Sequence, residues 1–291
     1  MTKILVTGGL GFVGSHLVDS LSSNSENDIT VIDNLCSESS SKFYMRSDVT
    51  YWVDDVKNLN SYKYINEKFD IVYHLAALAR IQPSFKDPLT YMETDIMGTS
   101  HVLEFSRRCS AKVIYAGSSS AYAGPMLNPY AFAKFTGEQL CELYSKVYGM
   151  STVTARFFNV YGDRQPTSGP YATVVGVFEN QFLEGNHLTV TGTGEQRRDF
   201  THVSDIVEGF KFLSSQEWNA EIFQLGTGKN FSINELANFF KSDINYIPAR
   251  PGEAWTTLAD SSEMKEKTGW KPLVELEKYV KEWKNKNLSK T

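Results

Sequence analysis

Hydrophobic and polar residues follow two rhythms along the first half of the chain. Short apolar runs are typical of strands buried on both faces of a sheet, and they occupy residues 3–7, 29–33, 70–75, 111–115 and 152–157. Longer stretches with apolar residues at helical spacing lie between them, at 12–21, 89–107 and 130–148. Because strands that alternate with helices form covered parallel sheets, the pattern predicts an α/β fold, a Rossmann-type doubly wound parallel sheet.

The pattern loosens after Tyr161. Residues 162–200 are rich in Gly, Thr and Pro, with one good helix predicted near 174–183. A helix at 204–214 and a strand at 222–225 predict a return to the sheet. We therefore predict a Rossmann domain of residues 1–161, to which 201–228 returns, and a smaller C-terminal substrate-binding lobe of residues 162–200 and 229–291.

Composition narrows the classes of partner. The 291 residues carry a net charge of −5 with both signs scattered, so we expect no nucleic-acid partner. No apolar run approaches the roughly 20 residues that span a membrane, so we expect no membrane partner. Three widely spaced cysteines are typical of reduced thiols in the cytoplasm, and the histidines show no metal-ligand spacing with them. We predict a cytoplasmic protein without a metal site.

Three glycines stand between the first strand and the first helix, at Gly8, Gly11 and Gly14. Such a turn needs positive φ, lets a phosphate approach the backbone and packs the helix closely on the strand. Asp33 ends the second strand, where a carboxylate binds a ribose diol and repels a 2′-phosphate. Together these residues predict NAD binding, and Asp55 with Val56 could hold the adenine edge. Each feature also has an alternative interpretation without a ligand. The glycines could form an ordinary glycine-rich turn, Asp33 could merely start a turn, and Asp55 with Val56 could form a surface turn.

A tyrosine and a lysine four residues apart share one helix face in the motif YAFAK, as Tyr130 and Lys134. An ammonium near the phenol is expected to lower the pKa of the tyrosine, which then accepts a proton from a sugar hydroxyl. The preceding strand ends in Ser118, Ser119 and Ser120, whose hydroxyls could bond the reacting oxygen. The alternatives are a surface Tyr–Lys pair, and a polar turn or helix cap for the serines.

These motifs belong to a series that covers nearly the whole chain. It comprises TGGLGFVG at 7–14, VID at 31–33, HLAALA at 74–79, SSS at 118–120, YAFAK at 130–134, RFFNVYG at 156–162, GTGEQRRDFTHVSD at 192–205 and PARPGE at 248–253. On these residues the sequence resembles the extended short-chain dehydrogenases/reductases, in the NAD-dependent sugar epimerase/dehydratase family.

The resemblance implies NAD as cofactor and a nucleotide-diphosphate sugar, most readily UDP-linked, as substrate. It implies Tyr130 as base, Lys134 as a ligand of the nicotinamide ribose and Ser118 as the third catalytic group. The expected cofactor-binding residues are Gly8, Gly11, Phe12, Val13, Gly14, Asp33, Asn34, Asp55, Val56, Leu75, Ala76, Ala77, Ala116, Tyr130, Lys134 and Phe157. The expected substrate-binding residues are Ala79, Ser118, Ser119, Tyr130, Asn159, Arg198, Arg250 and Glu253.

Serines 119 and 120 indicate the reaction type within this resemblance. Similar 4,6-dehydratases carry an acidic pair and similar decarboxylases a glutamate at this place, whereas this chain has no carboxylate there. The resemblance therefore implies epimerisation at C4 of a UDP-hexose, by transient oxidation to the 4-keto sugar, rotation and hydride return. Two alternatives stay open: an NAD(P)H-dependent reductase of a nucleotide-linked keto sugar, and a non-catalytic NAD-binding regulatory protein.

The sequence departs from the family at two places. Residues 123–129, AGPMLNP, form a shorter loop than relatives have, which opens the sugar pocket or leaves it to another segment such as 80–85. Asp95 stands where relatives usually have Asn, and a carboxylate cannot donate the hydrogen bond of that amide.

The helices predicted at 89–107 and 130–148 carry apolar positions beyond one stripe, including Met92, Ile96, Leu140 and Tyr144. The resemblance implies a homodimer that pairs these helices into a four-helix bundle. The alternative is burial in the core of the same chain. We expect His74 to be a packed histidine at a strand end.

Overall fold

The bounds of the helices and strands follow from a computed structural model, which describes residues 1–36 and 40–288. The strands are β1 (Thr2–Thr7), β2 (Asn27–Ile32), β3 (Thr50–Trp52), β4 (Ile71–His74), β5 (Lys112–Ser118), β6 (Thr152–Phe157), β7 (Val160–Tyr161), β8 (Leu188–Thr191), β9 (Arg197–Asp199), β10 (Thr201–His202), β11 (Asn219–Leu225), β12 (Asn230–Ser232) and β13 (Ile244–Ile247). The helices are α1 (Phe12–Ser22), α2 (Ile81–Lys86), α3 (Pro88–Tyr91), α4 (Gly98–Cys109), α5 (Ser119–Ala123), α6 (Pro129–Tyr148), α7 (Val174–Leu183), α8 (Val203–Ser214), α9 (Ile233–Phe240), α10 (Ser262–Thr268) and α11 (Leu276–Leu288).

The central sheet has seven parallel strands within the described residues, in the order β11-β6-β5-β4-β1-β2-β3. The chain runs outward from β1 to β2 and β3 and then crosses back to β4 on the other side of β1. Strand β1 is inside the sheet, and its residues Ile4 to Thr7 are buried. The predicted Rossmann-type doubly wound parallel sheet is confirmed. Ligands bind such sheets beyond the carboxyl ends of the strands, where the strand order reverses.

Helices cover both faces of the sheet, as the apolar strands require. One face packs against α1 and α8, with Leu17, Phe210 and Trp270 fully buried there. The other face packs against α4 and α6, where Phe105 and Cys141 are buried. Each buried side chain of this size contributes about 1.5–3 kcal/mol of hydrophobic free energy, so the two layers fix the helices on the sheet.

A buried ion pair attaches α6 to β6. The carboxylate of Glu138 accepts two hydrogen bonds from the guanidinium of Arg156, at 2.8 Å from Nε and 2.6 Å from Nη2. Glu138 is 2% exposed, so its charge depends on this partner. Removing one member of such a pair costs about 3–5 kcal/mol. The pair therefore helps to hold the segment that carries Tyr130 and Lys134 in a defined register on the sheet.

A second apolar cluster lies outside the sheet. It joins Phe178 of α7, Phe240 of α9 and Val280 of α11, beside the strand pairs β8–β13 and β9–β12. These elements all fall within residues 162–200 and 229–288, whereas β11 adds to the edge of the main sheet. We retain the division into two units as a proposal. Residues 37–39 and 289–291 of the predicted units lie outside the described residues.

The helix predicted at 89–107 is interrupted. Helix α3 is followed by a π-helix at Met92–Met97, and α4 then continues to Cys109, after which Ser110 adopts a left-handed conformation. A π-turn adds one residue per turn and rotates the following side chains, and such turns are frequent at functional sites. Here it leaves Asp95 buried at 1% exposure. Apolar periodicity alone did not predict this turn, because it changes one turn and leaves the rest of the stripe intact.

The contact between β1 and α1 predicts the effect of a single added carbon. A Cβ at Gly14 would lie 2.1 Å from the carbonyl oxygen of Gly8, which is a backbone atom and cannot turn aside as a side chain could. We expect Gly14→Ala to lower the free energy of unfolding by about 3 kcal/mol, near the upper end for overpacking. Urea-induced unfolding measures the change.

Gly98→Ala is the matched control, because its nearest new contact is a methyl group of Val56 at 3.2 Å. Alanine gains about 1 kcal/mol of helix propensity there, so the variant should stay within about 1 kcal/mol of wild type. Equal stabilities for the two variants would contradict the close packing of α1 on β1.

Candidate active site

A cavity of about 480 Å³ opens at the carboxyl ends of β1, β2, β4, β5 and β6. Its wall contains every cofactor-binding, substrate-binding and catalytic residue predicted from the sequence. The wall also includes residues from 166–177 and 250–257, which close the side away from the sheet. The sequence therefore places its chemistry-bearing residues in one continuous site, and their roles there remain proposals.

The glycine turn forms one end of this cavity. Gly8 adopts a φ of +70°, and a Cβ there would lie 2.8 Å from the backbone nitrogen of Ala76. Gly11 is the N-cap residue of α1 and makes no side-chain capping bond. The first N–H groups of α1 therefore face the cavity without a side-chain acceptor, together with the positive end of the helix dipole. This arrangement fits a pyrophosphate.

Carboxylates define the neighbouring part of the cavity. Asp33 is buried, and its two oxygens accept hydrogen bonds from the backbone N–H groups of Leu10 at 3.0 Å and Leu35 at 2.9 Å. Asp55 accepts a 3.1 Å bond from the side-chain amide of Asn34, which links the two predicted turns. These bonds orient the Asp33 carboxylate and leave it further acceptor capacity, so the site fits a ribose diol and disfavours a 2′-phosphate.

Asp54 adds a third carboxylate to the same wall, and the sequence analysis missed it. Hydrogen bonds from Lys63, Asn58 and Tyr64 hold the pKa of Asp54 well below its usual range, so it is ionised. The sequence signal that could have identified Asp54 is its position next to Asp55, which the sequence analysis had placed in the cofactor site.

Tyr130 and Lys134 come together with Ser118 at the other end of the cavity. Helix α6 begins with Asn128, whose side chain caps Ala131 N–H at 2.8 Å, and this cap sets the position of the first turn. The ammonium of Lys134 donates a 2.9 Å hydrogen bond to the carbonyl oxygen of Ala116 and lies 4.9 Å from the ring centre of Tyr115. The hydroxyl of Ser118 caps α5 by accepting from Ser120 N–H at 3.1 Å. The expected cap thus applies to Ser118, which also lines the cavity.

The sequence predicts that Lys134 lowers the pKa of Tyr130, and this prediction is wrong, because the pKa is raised. Burial raises the pKa of Tyr130, while a hydrogen bond from Ser118 and the charge of Arg80 act in the opposite direction. Lys134 is not one of the groups that lower it, because its ammonium is directed to the Ala116 carbonyl. Burial also lowers the pKa of Lys134, and the carboxylates of Asp95 and Glu138 oppose that change.

Asp95 is a buried carboxyl group near Lys134. Its Oδ1 accepts a 2.8 Å hydrogen bond from Leu78 N–H, and Oδ2 has no hydrogen-bond partner among the described residues. Burial raises the pKa of Asp95 to about 7, against the effect of the Lys134 charge. Relatives usually have Asn at this position, and its side-chain amide can donate a hydrogen bond. In this chain the corresponding atom, Oδ2 of Asp95, makes no hydrogen bond to the described residues.

His74 is packed, as expected. Its ring nitrogens lie 2.8 Å from the hydroxyl of Thr7 and 3.0 Å from the hydroxyl of Thr99, and burial lowers its pKa to about 3. The neutral ring therefore connects β1, β4 and α4 and is not a candidate acid or base.

Two further arginines and an asparagine line the substrate side. Arg198 lies 3.4 Å from the carboxylate of Glu253 and donates to the carbonyl oxygen of Trp255 at 3.3 Å. Asn159 donates to the Asp199 carbonyl at 2.9 Å, and Arg250 is exposed. Guanidinium groups with free donors suit phosphate oxygens, so this wall can hold a diphosphate.

Arg80 lines the cavity near Tyr130, and the sequence analysis named it only as part of a segment that could complete the pocket. Its Nε donates a 2.8 Å hydrogen bond to the carbonyl oxygen of Tyr171. Burial lowers the pKa of Arg80, with Tyr130 and Tyr91 opposing that change. The shortened loop at 123–129 was the signal that pointed to this side of the pocket.

Among the described residues, no group of three or more His, Cys, Asp or Glu side chains could hold a metal ion. None of the described helices is long and apolar enough to cross a bilayer.

Comparisons with known proteins agree with this geometry. The model of the NAD-dependent epimerase/dehydratase family matches residues 4–226. The crystal structure of UDP-glucose 4-epimerase with UDP-glucose from Thermotoga maritima superposes with a TM-score of 0.92 at 30% identity, over 99% of this chain and 100% of that one. UDP-glucuronic acid 4-epimerase from Bacillus cereus, solved with UDP-glucuronic acid and NAD, gives 0.89 at 28% identity over 100% of both chains. UDP-glucuronic acid decarboxylase 6 of Arabidopsis thaliana is 31% identical over 94% of this chain and 85% of its own.

The oriented carboxylate of Asp33 predicts cofactor selectivity. Asp33→Asn should weaken NAD binding about 10-fold to 100-fold, because a hydrogen bond to a charged acceptor contributes about 1.5–3 kcal/mol. It should weaken NADP binding less, because the repulsion of a 2′-phosphate is also lost. Calorimetric titration with both nucleotides measures the ratio. Asp48→Asn is the control, since Asp48 pairs with Arg46 and lines no part of the cavity. An unchanged NAD-to-NADP ratio in Asp33→Asn would contradict the role of Asp33.

The raised pKa of Asp95 predicts a pH-dependent stability. Between about pH 4 and 7 the folded protein keeps a proton on Asp95 that the unfolded chain has lost, so this residue makes folding less favourable as the pH rises. The stability of wild type relative to Asp95→Asn should therefore fall across this window, by up to about 1.4 kcal/mol per pH unit. Urea unfolding of both proteins at pH 5, 6 and 7 tests this. A constant difference would show that Asp95 is ionised throughout.

Proposed function

The chain belongs to the NAD-dependent epimerase/dehydratase family, and we propose that it is an epimerase acting at C4 of a UDP-hexose. The cofactor is NAD. Structures of UDP-sugar 4-epimerases that cover the whole chain support a nucleotide-sugar substrate. Because decarboxylases are also among the relatives, the reaction type depends on the residues around Tyr130.

The distribution of carboxylates in the cavity is the observation that carries this proposal. Of the described residues in its wall, the acidic ones are Asp33, Asp54 and Asp55 at the adenosine end and Glu253, which pairs with Arg198. Positions 119 and 120 are serines at the start of α5. Elimination or decarboxylation assisted by an acidic residue beside the serine-bearing strand end therefore has no such group here. Proton transfer by Tyr130 and Ser118 remains.

The hydroxyl groups of this chain supply the acid–base chemistry. Bound NAD supplies the two-electron acceptor that takes up the hydrogen of C4 and later returns it. Tyr130 removes the proton of the C4 hydroxyl and gives it back after the ring has turned, while the Ser118 hydroxyl orients the same oxygen. Burial raises the pKa of Tyr130, and the hydrogen bond from Ser118 and the charge of Arg80 act against burial and so favour the phenolate that accepts the C4 hydroxyl proton.

Lys134 and the substrate-side arginines position the reactants. Lys134 is held on the Ala116 carbonyl beside the end of β5, where it can reach a ribose hydroxyl. Arg198 and Arg250, with Asn159 beside them, bind the diphosphate and leave the sugar free to rotate. Tight binding through the diphosphate and loose binding of the sugar is the division of roles that an epimerase needs.

The reductase and the non-catalytic NAD-binding regulatory protein stay open as alternatives. The absorbance of the reduced nicotinamide distinguishes them from the epimerase and from each other. Asp33 disfavours NADPH and hence the reductase, and the assembled trio disfavours a purely regulatory protein. The protein purified with NAD should show a transient rise of reduced-nicotinamide absorbance when a UDP-sugar is added. Net consumption of added NADH would indicate reduction, and the lack of any spectral response would favour a regulatory protein.

A homodimer through a four-helix bundle is a further part of the proposal. Apolar side chains are exposed at Met97, Leu143 and Val147, although Leu140 and Tyr144 pack partly against the core of their own chain. Sedimentation should show a dimer that Leu143→Glu weakens, whereas Leu183→Glu, at an exposed position at the end of α7, should leave it intact. A wild-type monomer would contradict the bundle. The cytoplasmic location stays a prediction.

Removal of one oxygen tests the chemistry. Tyr130→Phe should keep NAD and sugar-nucleotide affinity within about threefold and lower turnover by about 10²–10⁴-fold, the contribution of a positioned acid–base group. Chromatographic assay of a panel of nucleotide sugars measures turnover. Tyr62→Phe is the control, because Tyr62 is 96% exposed and lies outside the cavity. Substantial residual activity in Tyr130→Phe would contradict the mechanism.

A further inference from the structure

The guanidinium of Arg80 has no counter-charge. Its Nε is held by the carbonyl oxygen of Tyr171, and no described residue brings a carboxylate within 4 Å of it. The electrostatic partners of Arg80 are the phenols of Tyr130 and Tyr91, which are neutral at physiological pH. Arg80 is half-buried and lines the cavity, and a guanidinium there without a carboxylate partner can bind an anionic group of a ligand.

The other cations of the cavity have a carboxyl group as neighbour or face water. Lys134 lies near Asp95 and Glu138, Arg198 pairs with Glu253, and Arg250 is exposed. Among the described cations of the cavity wall, Arg80 therefore differs in being half-buried without a neighbouring carboxyl group. Its Nη groups form no hydrogen bond with the described residues, so the fork that recognises carboxylates is available on the cavity side.

Arg80 also stands at the reacting end of the cavity. It precedes α2, and Ser84 of that helix accepts a 3.2 Å hydrogen bond from the backbone N–H of Tyr130. Its charge acts on the phenol of Tyr130 directly. If Tyr130 contacts the C4 hydroxyl, the substituent on C5 is the nearest exocyclic carbon group of the hexose. A C6 carboxylate would place its charge within reach of Arg80.

On the basis of the proposed function, we propose that Arg80 binds the C6 carboxylate of the sugar, and that the preferred substrate is a UDP-hexuronate. The bond to Tyr171 holds the guanidinium plane, and the two Nη groups bind the carboxylate oxygens. The short loop at 123–129 brings no acidic residue to this side, so nothing there competes for the arginine.

Binding to the NAD-loaded Tyr130→Phe protein tests the assignment without turnover. Calorimetry should show UDP-glucuronate binding at least 10-fold tighter than UDP-glucose. Arg80→Gln should abolish this preference, and Arg80→Lys should reduce it only in part because the charge remains. The affinity for UDP itself should change by less than threefold in both variants.

Arg46→Gln is the matched control, because Arg46 pairs with Asp19 and Asp48 and lines no part of the cavity. It should keep the full preference for the hexuronate. Equal losses for UDP-glucuronate, UDP-glucose and UDP in Arg80→Gln would overturn the proposal and show that Arg80 only ties down the 166–177 segment. A wild-type preference for UDP-glucose would overturn it as well.

Turnover by the protein with Tyr130 intact separates this proposal from the proposed function. If UDP-glucose is epimerised and Arg80→Gln has the same kcat/KM ratio for the two sugars as wild type, the epimerase stands and the hexuronate assignment fails. If UDP-glucuronate binds through Arg80 and its C4 configuration never changes, the assignment stands and the epimerase fails.

Discussion

Parallel pairing around β1 is the constraint on which the rest of the structure depends. Because every neighbouring strand of the sheet runs in the same direction, all their carboxyl ends meet at one edge. The chain leaves β1 in one direction and returns on its other side at β4, so the loops diverge and a crevice opens between them. The glycine turn, Asp33 and Ser118 each end a different strand, and the shared edge brings them into one cavity.

Buried charge is the second constraint, and it is resolved differently at each place. Glu138 is matched by Arg156 with two short hydrogen bonds, and this pair fixes α6 on β6. Lys134 has the Ala116 carbonyl and the neighbouring carboxyl group of Asp95, whose Oδ2 remains without a hydrogen bond among the described residues. Arg80 has the Tyr171 carbonyl as acceptor for its Nε, and none of the described carboxylates forms an ion pair with it. The three charges thus differ in their partners: a bidentate carboxylate for Arg156, a carbonyl and a nearby carboxyl group for Lys134, and a carbonyl alone for Arg80.

The assignment to the family rests on fold, residues and cofactor chemistry together, while the reaction within the family rests on a few side chains. Proteins named as epimerases and proteins named as decarboxylases are both similar to this chain over nearly its whole length. In this chain the sugar end of the cavity contains hydroxyls, one lysine and one uncompensated arginine, which supports proton transfer on a sugar that carries negative charge.

The sequence by itself determined the alternation of strands and helices, the glycine turn with Asp33 at the next strand end, and the spacing that puts Tyr130 and Lys134 on one helix face. These follow from local periodicity and motif spacing, which short-range sterics and hydrophobic burial control. Only the tertiary structure decided the directions of the pKa shifts, the burial of Asp95 by the π-turn and the isolation of Arg80. Each depends on which groups from distant segments surround a charge in a medium of low polarity, such as Tyr171 beside Arg80, and no local pattern encodes those neighbours.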